Sequence, residues 1–373
     1  MDKEVVTNYI IGMMSGSSLD GLDIAYFRLE EEDDRIAWDL LAAETLAIPN
    51  QLQDLLREWK DLDASSFINL ESEFSIFVSD VLNEFIEKHV QDLDLIVSHG
   101  HTLLHLPDQS ISVQIGNGGV ISSKTGYPVL CDLRIQDVAQ GGQGAPLAAL
   151  VDYHLFSQYT YSLNLGGIAN LSMHSDDRLK AFDICAANQV LNHLAQQKGL
   201  SFDDKGEMAR SGKCLGGFYE KLDHSFYEQM APKSLDNSWV NREVIQILPK
   251  ASIEDLLHSY CHFIAQQIKA SIRREDKDYE GKTMLVAGGG TKNDFLIDCI
   301  RETLAPLGVF VYEANDDVVD YKESLLMALM GFLFLHQQKN LLAEATGGAL
   351  DLSAGAFYQG SKFPYLWTES KEY

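Results

Sequence analysis

The segment Ile11–Phe27, IGMMSGSSLDGLDIAYF, predicts two β-strands joined by a turn of glycine and serine. Apolar and β-branched residues flank this turn on both sides, which is the pattern of a hairpin. A second hairpin is predicted at Tyr161–Met173, where two apolar strands flank Gly166 and Gly167. Because each half of the chain begins with such a hairpin, we expect an internal duplication.

The rest of the chain alternates between strand-like and helical segments. Further strands are expected at Leu93–Ser98, Ile111–Ile115, Val129–Leu133, Leu179–Ile184 and Thr283–Ala287. Helices are expected at residues 52–59, 67–90, 187–197, 251–272, 294–304 and 324–338. This alternation predicts an α/β fold with a partly parallel sheet covered by helices.

The length and the charge of the chain limit the classes of ligand. At 373 residues it is long enough for two domains that share a cleft. It carries 55 acidic and 29 basic residues, a net charge of −26, so its field repels polyanions. We therefore expect no binding to nucleic acid or to an anionic membrane surface. A small phosphate ligand is not excluded, because backbone N–H groups can hold it locally.

Targeting and cysteine patterns indicate a cytoplasmic protein. The N-terminal sequence MDKEVVTNYIIG lacks the basic and apolar segments of an export signal. The most apolar run, Leu325–Leu335, is too short to span a membrane and is predicted to be a core helix. The five cysteines are scattered without a CxxC pair, which favours reduced and mostly buried thiols.

Four glycine-rich turns follow predicted strands, at Ser15–Gly21, Gly141–Gly144, Gly166–Gly167 and Gly288–Gly290. Each alone could serve only its turn. Together they fit a nucleotide clamped by two hairpins, with its phosphates on backbone N–H groups and serine hydroxyls. The triple glycine would then contact the nucleoside. Neither a P-loop nor a Rossmann fingerprint is present, so those nucleotide folds lose their main support.

Eight segments carry a resemblance to a known family. They are GMMSGSSLDGLD (12–23), SHGHTLLHLP (98–107), QIGN (114–117), DLRIQDVAQGGQGAPL (132–147), NLGGIANLS (164–172), FDDKGEMARSG (202–212), AGGGTKN (287–293) and KESLLMALMG (322–331). In this order the chain resembles the anhydro-N-acetylmuramic acid kinases, which belong to the superfamily of sugar kinases, actin and chaperone ATPases. The resemblance implies a two-domain, actin-like ATPase fold (ribonuclease H-like), with duplicated mixed sheets, covering helices and a central cleft.

The domain boundaries are placed at glycine-rich segments. Domain I is expected to comprise residues 1–140 plus about 350–373 and to hold the first phosphate loop. Domain II is expected at residues 141–349, with the second phosphate loop, the catalytic aspartate and the adenosine loop. The hinge is predicted near Gly141, because a flexible turn there precedes Pro146 at a helix start.

The family's reaction makes an unusual chemical demand. The resemblance implies a phosphotransferase that uses ATP and Mg²⁺ to convert 1,6-anhydro-N-acetylmuramic acid into N-acetylmuramic acid 6-phosphate, in cell-wall (peptidoglycan) recycling. The O6 atom of the bridged sugar carries no proton, so a base must activate a water molecule that attacks C1. The released O6 then takes the γ-phosphoryl group. A small sugar substrate and a homodimer are the implied partners.

The resemblance places the nucleotide on both hairpins and on the triple glycine. The implied ATP-binding residues are Gly16, Ser17, Ser18, Leu19, Asp20, Gly21, Leu22, Asp23, Gly166, Gly167, Gly288, Gly289, Gly290 and Asn293. Asp20 and Asp23 could equally stabilise the turn. Asp20 is the better candidate to orient Mg²⁺ through a water molecule.

The family's catalytic aspartate falls on Asp183. An ionised carboxylate beside the sugar can accept the proton of the attacking water. The residues alone favour another role, because an aspartate shortly before a helix commonly caps its N-terminus.

The resemblance also implies a set of sugar-binding residues. They are His99, Gln114, Asn117, Arg134, Asp137, Asn188 and Glu323. The guanidinium fork of Arg134 could hold the lactyl carboxylate of the sugar, although an arginine at a strand end usually makes a surface ion pair. Glu323 is placed at a helix start, where the helix dipole also favours an acid.

The chain departs from the family at two places. The family usually has glutamine where this chain has His101, which with His99 and His105 could suggest a zinc site. No acid or cysteine joins these histidines by spacing, so structural roles are favoured. The family usually reads Asp-Thr-Gly-Pro-Gly-Asn where this chain reads DICAAN (183–188). Because cysteine and alanine restrict φ, we expect the sugar contacts to change there more than the ATP contacts.

Two other functions stay open on the residues alone. One is an ordinary sugar kinase of the same fold, in which Asp183 deprotonates a free hydroxyl. It predicts activity on an open-ring sugar and none on the anhydro form. The other is a non-catalytic, nucleotide-switched, actin-like binding protein, which predicts slow ATP hydrolysis that no sugar stimulates.

Overall fold

The computed structural model describes residues 5–16, 19, 21–32, 35–145, 147–175, 178–222, 225–231, 233–235 and 237–362. The predicted positions Ser17, Ser18, Asp20 and Pro146 lie outside the described residues. The chain divides into two compact units, Met1–Leu155 with Tyr321–Tyr373, and Phe156–Asp320. Residues 141–155 and 321–349 thus belong to the first unit, whereas the sequence pattern assigns them to domain II.

The elements follow one another in the alternation expected of an α/β chain. The strands are β1 (Val6–Ser15), β2 (Leu22–Glu32), β3 (Arg35–Leu46), β4 (Leu95–Leu106), β5 (Ile111–Ile115), β6 (Val129–Cys131), β7 (Tyr161–Leu165), β8 (Ile168–Ser175), β9 (Arg178–Ala186), β10 (Thr283–Ala287), β11 (Phe310–Glu313) and β12 (Ala356–Tyr358). The helices are α1 (Asn50–Arg57), α2 (Ala64–His89), α3 (Gly118–Thr125), α4 (Ile135–Ala139), α5 (Ala149–Leu155), α6 (Asn188–Gln196), α7 (Glu207–Ser211), α8 (Phe218–Lys221), α9 (Ser225–Glu228), α10 (Asn237–Glu243), α11 (Ile253–Glu275), α12 (Asp294–Leu304), α13 (Asp316–Leu335) and α14 (Ala343–Thr346).

Each unit is built on a mixed sheet with the same order of strands. In the first unit the order is β12-β6-β4-β1-β2-β3, with β5 paired to β4. Strands β1 to β3 form an antiparallel meander, while β4 runs parallel to β1 and β6 parallel to β4. In the second unit the order is β11-β10-β7-β8-β9, again an antiparallel meander followed by two parallel strands. The predicted α/β fold with duplicated mixed sheets is therefore confirmed.

Strand β3 is the main element that the sequence pattern does not predict. It pairs antiparallel with β2 along the whole length of the hairpin arm. Its side chains alternate mainly between exposed and half-buried, which is the period of a strand with one solvated face. Because four apolar residues follow one another at residues 40–43, the alternation is weak in the sequence.

Long capped helices cover the sheets and close the cores. Helix α2 begins after Asp63, whose carboxylate accepts a hydrogen bond from the Ser66 N–H, and its buried face packs on β1, β2 and β4. Helix α11 begins after Ser252, whose hydroxyl accepts from the Asp255 N–H. Its buried face, which includes Tyr260, packs on the strands of the second unit. Each sheet thus has its own apolar core.

Helix α13 differs from its predicted bounds. It begins at Asp316 and is interrupted at Tyr321, where φ is −124° and ψ is 18°. Glu323 therefore lies in the first turn of the part of α13 that follows this interruption, which agrees with the prediction that it occupies a helix start. The apolar run that follows is buried, which confirms a core helix. Among the described residues no helix is long and apolar enough to cross a membrane.

Candidate active site

The first glycine hairpin joins the end of β1 to the start of β2. The last pair of the ladder is Ser15 with Leu22, and Gly16 and Gly21 lie just beyond it. The N–H of Leu19 donates to the Gly16 carbonyl oxygen at 3.1 Å, and the Leu19 side chain is buried. The Leu22 side chain is buried as well. Both leucines can therefore offer only their backbones to a phosphate.

Asp23 lies on β2 next to this turn and is bonded within the sheet. The Thr45 hydroxyl of β3 donates to its Oδ1 at 2.6 Å. This bond supports the interpretation that Asp23 stabilises the turn. A role of Asp23 at the nucleotide stays a prediction.

Two predicted sugar-binding residues of the first unit, His99 and Glu323, lie near a third, Arg134. The Nε–H of Arg134 donates to His99 Nε2 at 2.8 Å, and its Nη1 donates to the Gly144 carbonyl oxygen. Burial and the neighbouring Arg134 charge lower the pKa of His99 to about 3, so the imidazole is neutral. Burial also lowers the pKa of Arg134, while the negative charge of Glu323 opposes this shift. The arrangement fixes a cationic fork beside an acid in a largely buried place.

Asp137 lies beside the glycine-rich loop at residues 141–144. It is completely buried, and its carboxylate accepts hydrogen bonds from the Gly144 N–H and the Thr346 hydroxyl, both at 2.7 Å. These bonds tie α4, the loop and α14 together. The structure therefore gives Asp137 a positioning role for the loop that Arg134 also contacts, and direct contact with a sugar stays a prediction.

Gln114 and Asn117 also make bonds within the first unit. The Gln114 side-chain amide donates to Ser112 Oγ at 2.9 Å. The Asn117 side chain caps α3 by accepting from the N–H groups of Gly119 and Val120 at 2.9 and 3.1 Å. Its oxygen is thus engaged in the cap, which leaves the amide nitrogen as its donor to a ligand.

The three histidines of the β4 region have separate partners. His99 accepts from Arg134, His101 Nδ1 lies 3.1 Å from Ser15 Oγ, and His105 Nε2 lies 2.9 Å from the Gln143 carbonyl oxygen. In the part of the chain that the structure describes, they belong to no group of converging metal ligands. Structural roles are therefore favoured over a zinc site. The bond between Ser15 and His101, which the sequence pattern misses, ties the glycine hairpin to β4.

The second glycine hairpin joins β7 and β8 and receives the start of α6. The N–H of Ala187 donates to the Gly167 carbonyl oxygen at 2.8 Å, and that of Asn188 to the Gly166 carbonyl oxygen at 3.1 Å. The Asn188 side-chain amide donates to the Leu165 carbonyl oxygen at 2.9 Å. These bonds hold the predicted second phosphate loop against the segment that follows Asp183.

The triple glycine after β10 lies directly on the end of β7. A Cβ atom at Gly288, where φ is +86°, would lie 2.4 Å from Asn164 Oδ1. A Cβ at Gly290 would lie 2.6 Å from Leu165 Cβ and 3.2 Å from Asn188 Nδ2. A Cβ at Gly289 would meet nothing within 4 Å. The triple glycine, the second hairpin and Asn188 are thus brought together, with Gly289 open.

Asn293 lies at the end of this loop and caps α12. Its Oδ1 accepts from the Leu296 N–H at 2.9 Å, and the residue is largely buried. A Cβ at Gly206, where φ is +71°, would lie 2.2 Å from the same oxygen. Asn293 therefore holds the helix start, and its contact with a nucleotide stays a prediction.

The close packing of Gly288 gives a test of this loop. We expect Gly288→Ala to weaken ATP binding about tenfold, roughly 1.4 kcal/mol, because the positive φ and the close contact with Asn164 force the loop to move. Gly216→Ala is the matched control and should bind ATP as the native chain does, because a Cβ at Gly216 meets nothing within 4 Å and Gly216 belongs to no proposed site. Titration of ATP by calorimetry measures both. Equal ATP affinity of the two variants would show that Gly288 does not pack closely on Asn164.

Asp183 lies on β9, five residues before the start of α6 at Asn188. The N-cap of α6 is Ala187, so the alternative that Asp183 caps this helix is wrong. Asp183 Oδ2 accepts from the Leu235 N–H at 2.8 Å, and the Asp183 N–H donates to the Lys233 carbonyl oxygen at 3.0 Å. Burial raises the pKa of Asp183, while the Leu235 N–H and the Lys233 charge oppose the shift. The carboxylate is thereby fixed and made more basic.

Lys233 is a neighbour of Asp183 that the sequence pattern misses. Its Nζ donates to the Phe226 carbonyl oxygen at 3.2 Å and lies 4.5 Å from the centre of the Phe226 ring. Burial lowers its pKa to about 8, and the nearby Arg274 charge acts in the same direction. No short motif marks the segment around Lys233, so only the fold reveals that Lys233 lies near Asp183.

The altered DICAAN segment comprises the end of β9 and the start of α6. Cys185, Ala186 and Ala187 are completely buried, and the Tyr260 hydroxyl donates to the Ala186 carbonyl oxygen at 3.1 Å. Residues 184–187 have no positive φ. The segment therefore follows a path that does not require glycine, as the substitutions predict.

Comparison with known proteins agrees with the resemblance in the sequence. The family model described as anhydro-N-acetylmuramic acid kinase matches residues 8–360. Proteins named anhydro-N-acetylmuramic acid kinase from Haemophilus influenzae and Idiomarina loihiensis are 26% and 29% identical, over 94% and 93% of this chain and 97% of each relative. The Acidaminococcus fermentans (R)-2-hydroxyglutaryl-CoA dehydratase component A aligns with a TM-score of 0.43 at 13% identity, over 86% of this chain and 96% of that one. The chain belongs to the anhydro-N-acetylmuramic acid kinase family.

Proposed function

We propose that this protein uses ATP to convert 1,6-anhydro-N-acetylmuramic acid into N-acetylmuramic acid 6-phosphate. The family match over nearly the whole chain supports a phosphotransferase that consumes ATP. The observation that carries the residue assignment is the position of Asp183. Its half-buried carboxylate lies on β9, and the segment that follows contacts the second glycine hairpin and, through Asn188, the triple glycine.

In the proposed reaction Asp183 is the general base. It accepts a proton from a water molecule whose oxygen forms a bond to C1 of the sugar, while the bond from C1 to the bridging O6 breaks. The released O6 then forms a bond to the γ-phosphorus, and ADP leaves. The hydrogen bond from the Leu235 N–H holds Asp183 Oδ2, so Oδ1 is the oxygen proposed to face the water. Burial raises the pKa of Asp183, which increases its strength as a base.

ATP is proposed to bind the two hairpins and the triple glycine. The glycine-rich composition of both hairpins and the open space at Gly289 support this proposal, because backbone N–H groups of such turns can hold a triphosphate. Mg²⁺, when bound, would neutralise charge on the phosphate oxygens, and Asp20 is the proposed residue to orient it through water. Ser17 and Ser18 are proposed to add hydroxyl donors to the first hairpin.

The sugar is proposed to lie beside the Arg134 group of the first unit. The guanidinium would hold the lactyl carboxylate, because a buried arginine fork with one acid nearby gains strongly from a second carboxylate. His99 and Gly144 fix the direction of the fork. His99, Gln114, Asn117, Glu323 and Asn188 remain proposed sugar contacts, and Asp137 a positioning residue.

Arg134→Lys tests this sugar contact. We expect KM for the anhydro sugar to rise about tenfold with a smaller change in kcat, because an ammonium group cannot keep the bonds to His99 and Gly144 while it binds a carboxylate. Steady-state kinetics with varied sugar at saturating ATP measures the change. Arg242→Lys, an exposed arginine paired with Glu243, is the control and should leave KM unchanged. A KM for Arg134→Lys equal to the native value would remove the assignment.

ADP release tests the proposed function. Purified protein with Mg-ATP should release ADP rapidly when the anhydro sugar is present and slowly without it. Turnover with an open-ring amino sugar and none with the anhydro form would indicate an ordinary sugar kinase instead. ATP hydrolysis that no sugar stimulates would indicate a nucleotide-switched binding protein.

The cellular setting is proposed from the same reaction. A kinase that acts on a cell-wall fragment and on ATP would work in the cytoplasm, in peptidoglycan recycling. We also propose a homodimer. Light scattering of the purified chain after size-exclusion chromatography would measure its mass, and a monomer at micromolar concentration would contradict the dimer.

A further inference from the structure

A group of cysteine and histidine side chains lies in the second unit, away from Asp183 and the glycine loops along the chain. We call it the Cys/His cluster, and its members are Cys214, His258, His262 and Cys299. One ligand atom from each of the first three lies within 4.8 Å of the others. The fourth joins through Cys299 Sγ, which is 3.8 Å from His262 Nε2. The reaction proposed above uses none of these residues.

Helical spacing brings the two histidines together. His258 and His262 are four residues apart on α11 and therefore project from the same face of the helix. Their ring centres are 4.9 Å apart, and both rings pack near Phe295 of α12. Cys299 lies one turn further along α12 than Phe295. Two packed helices thus supply three members of the cluster.

The loop between α7 and α8 places Cys214 over α11. The N–H of Lys213 donates to Asp255 Oδ1 at 2.8 Å, and the N–H of Leu215 donates to Ser259 Oγ at 2.9 Å. These bonds lie on either side of Cys214 in the sequence and both end on α11. The position of the thiol is therefore fixed by its neighbours, although the residue itself is exposed.

The hydrogen bond of His258 leaves its Nε2 available to bind a metal. Its Nδ1 lies 2.9 Å from the Ala209 carbonyl oxygen, so Nδ1 carries the proton and Nε2 keeps its lone pair. A metal-binding histidine typically donates its other N–H to a carbonyl or carboxylate in this way.

The types of ligand and their separations suit a zinc ion. The nearby cation Arg210 is paired with Asp298 at 2.7 Å. Ligand atoms in a tetrahedral zinc site are about 3.5 Å apart, so the observed separations need only small side-chain movements. Thiolate and imidazole together select zinc among common divalent ions, because harder ions prefer oxygen.

We propose that the Cys/His cluster binds one zinc ion. With two thiolates and two imidazoles the site would be closed and tetrahedral, which is the form of structural zinc sites. It would link α11, α12 and the loop before α8. Its role is therefore to stabilise the second unit, and no step of the proposed reaction passes through it.

Metal titration of the full-length, tag-free protein tests the proposal. After removal of metal under reducing conditions, we expect one equivalent of zinc to bind with a dissociation constant below about 1 µM in competition with a chromophoric chelator. Cobalt should give the visible bands of a tetrahedral ion and a thiolate charge-transfer band in the near ultraviolet. Cys214→Ser and His262→Ala should each weaken zinc binding about 100-fold. His193→Ala, a histidine on α6, is the matched control and should bind as the native chain does.

Two outcomes of the titration would overturn the proposal. They are the absence of stoichiometric zinc binding and the same zinc affinity in all variants. If circular dichroism shows that a variant fails to fold, the cobalt spectrum of the native protein decides. The tetrahedral and thiolate bands would support the site, and octahedral cobalt without a thiolate band would overturn it. ADP release with the metal-free protein is expected to stay measurable, so a failed kinase assay and a failed zinc assay remain distinguishable.

Discussion

Asp183→Asn is expected to lower sugar-dependent turnover by about 10³-fold, because an amide cannot accept the proton of the attacking water. The substitution keeps an oxygen that can accept from the Leu235 N–H, so the local backbone should hold its position. Stopped assays of ADP formation at saturating ATP and sugar measure the loss. Binding of ATP, measured by calorimetry, should change little, because the nucleotide is proposed to contact other residues.

Asp276→Asn is the matched control for this experiment. Asp276 is also partly buried in the second unit and accepts from a backbone N–H, that of Asp278 at 2.9 Å. It belongs to no proposed site, so its variant should turn over like the native protein. If Asp183→Asn kept full activity, Asp183 would not be the base. If both variants lost activity equally, the loss would reflect folding.

Gly12→Ala is expected to destabilise the first unit by about 3 kcal/mol or more. A Cβ atom at Gly12 would lie 1.9 Å from the Ser324 carbonyl oxygen and 3.0 Å from the Ala328 nitrogen, both on α13. These are backbone atoms that no rotamer change can move. Strand β1 or α13 would have to shift, and β1 lies at the centre of its sheet between β4 and β2.

Urea denaturation followed by circular dichroism measures this effect. The midpoint of Gly12→Ala should fall clearly, whereas that of Gly216→Ala should stay near the native value, because a Cβ at Gly216 meets nothing within 4 Å. Because Glu323 precedes the contact residue Ser324, we also expect a weaker affinity of the folded Gly12→Ala protein for the sugar. Equal midpoints for the two variants would show that α13 does not pack closely on β1.

Much of the fold follows from local patterns in the sequence. The hairpin of β1 and β2 and that of β7 and β8 each combine apolar strands with a glycine turn, which few other structures allow. Strand β3 escaped prediction because its side chains are mostly only half-buried and the apolar period is weak. The start of α13 at Asp316 was not predicted, because the irregular Tyr321 breaks the helical pattern just before the apolar run.

The candidate site was less predictable, because its contacts join distant parts of the chain. The resemblance named Asp183, but the bonds to Leu235 and Lys233 depend on how the segment after α9 returns to β9. Asp137 lies in a family motif, yet its bond to Thr346 makes it a buried anchor of the loop. The ion pair between Lys322 and Asp152 is another contact that no local pattern reveals.

The most direct test of the central claim is the product formed in heavy-oxygen water. The purified protein is incubated with Mg-ATP and 1,6-anhydro-N-acetylmuramic acid, and the product is analysed at once by mass spectrometry, with authentic N-acetylmuramic acid 6-phosphate in the same water as a control for exchange. We predict a sugar that gains one phosphoryl group at O6 and one water, with the heavy oxygen at C1. A phosphorylated sugar with the anhydro bridge intact, or no sugar-dependent product, would contradict the account.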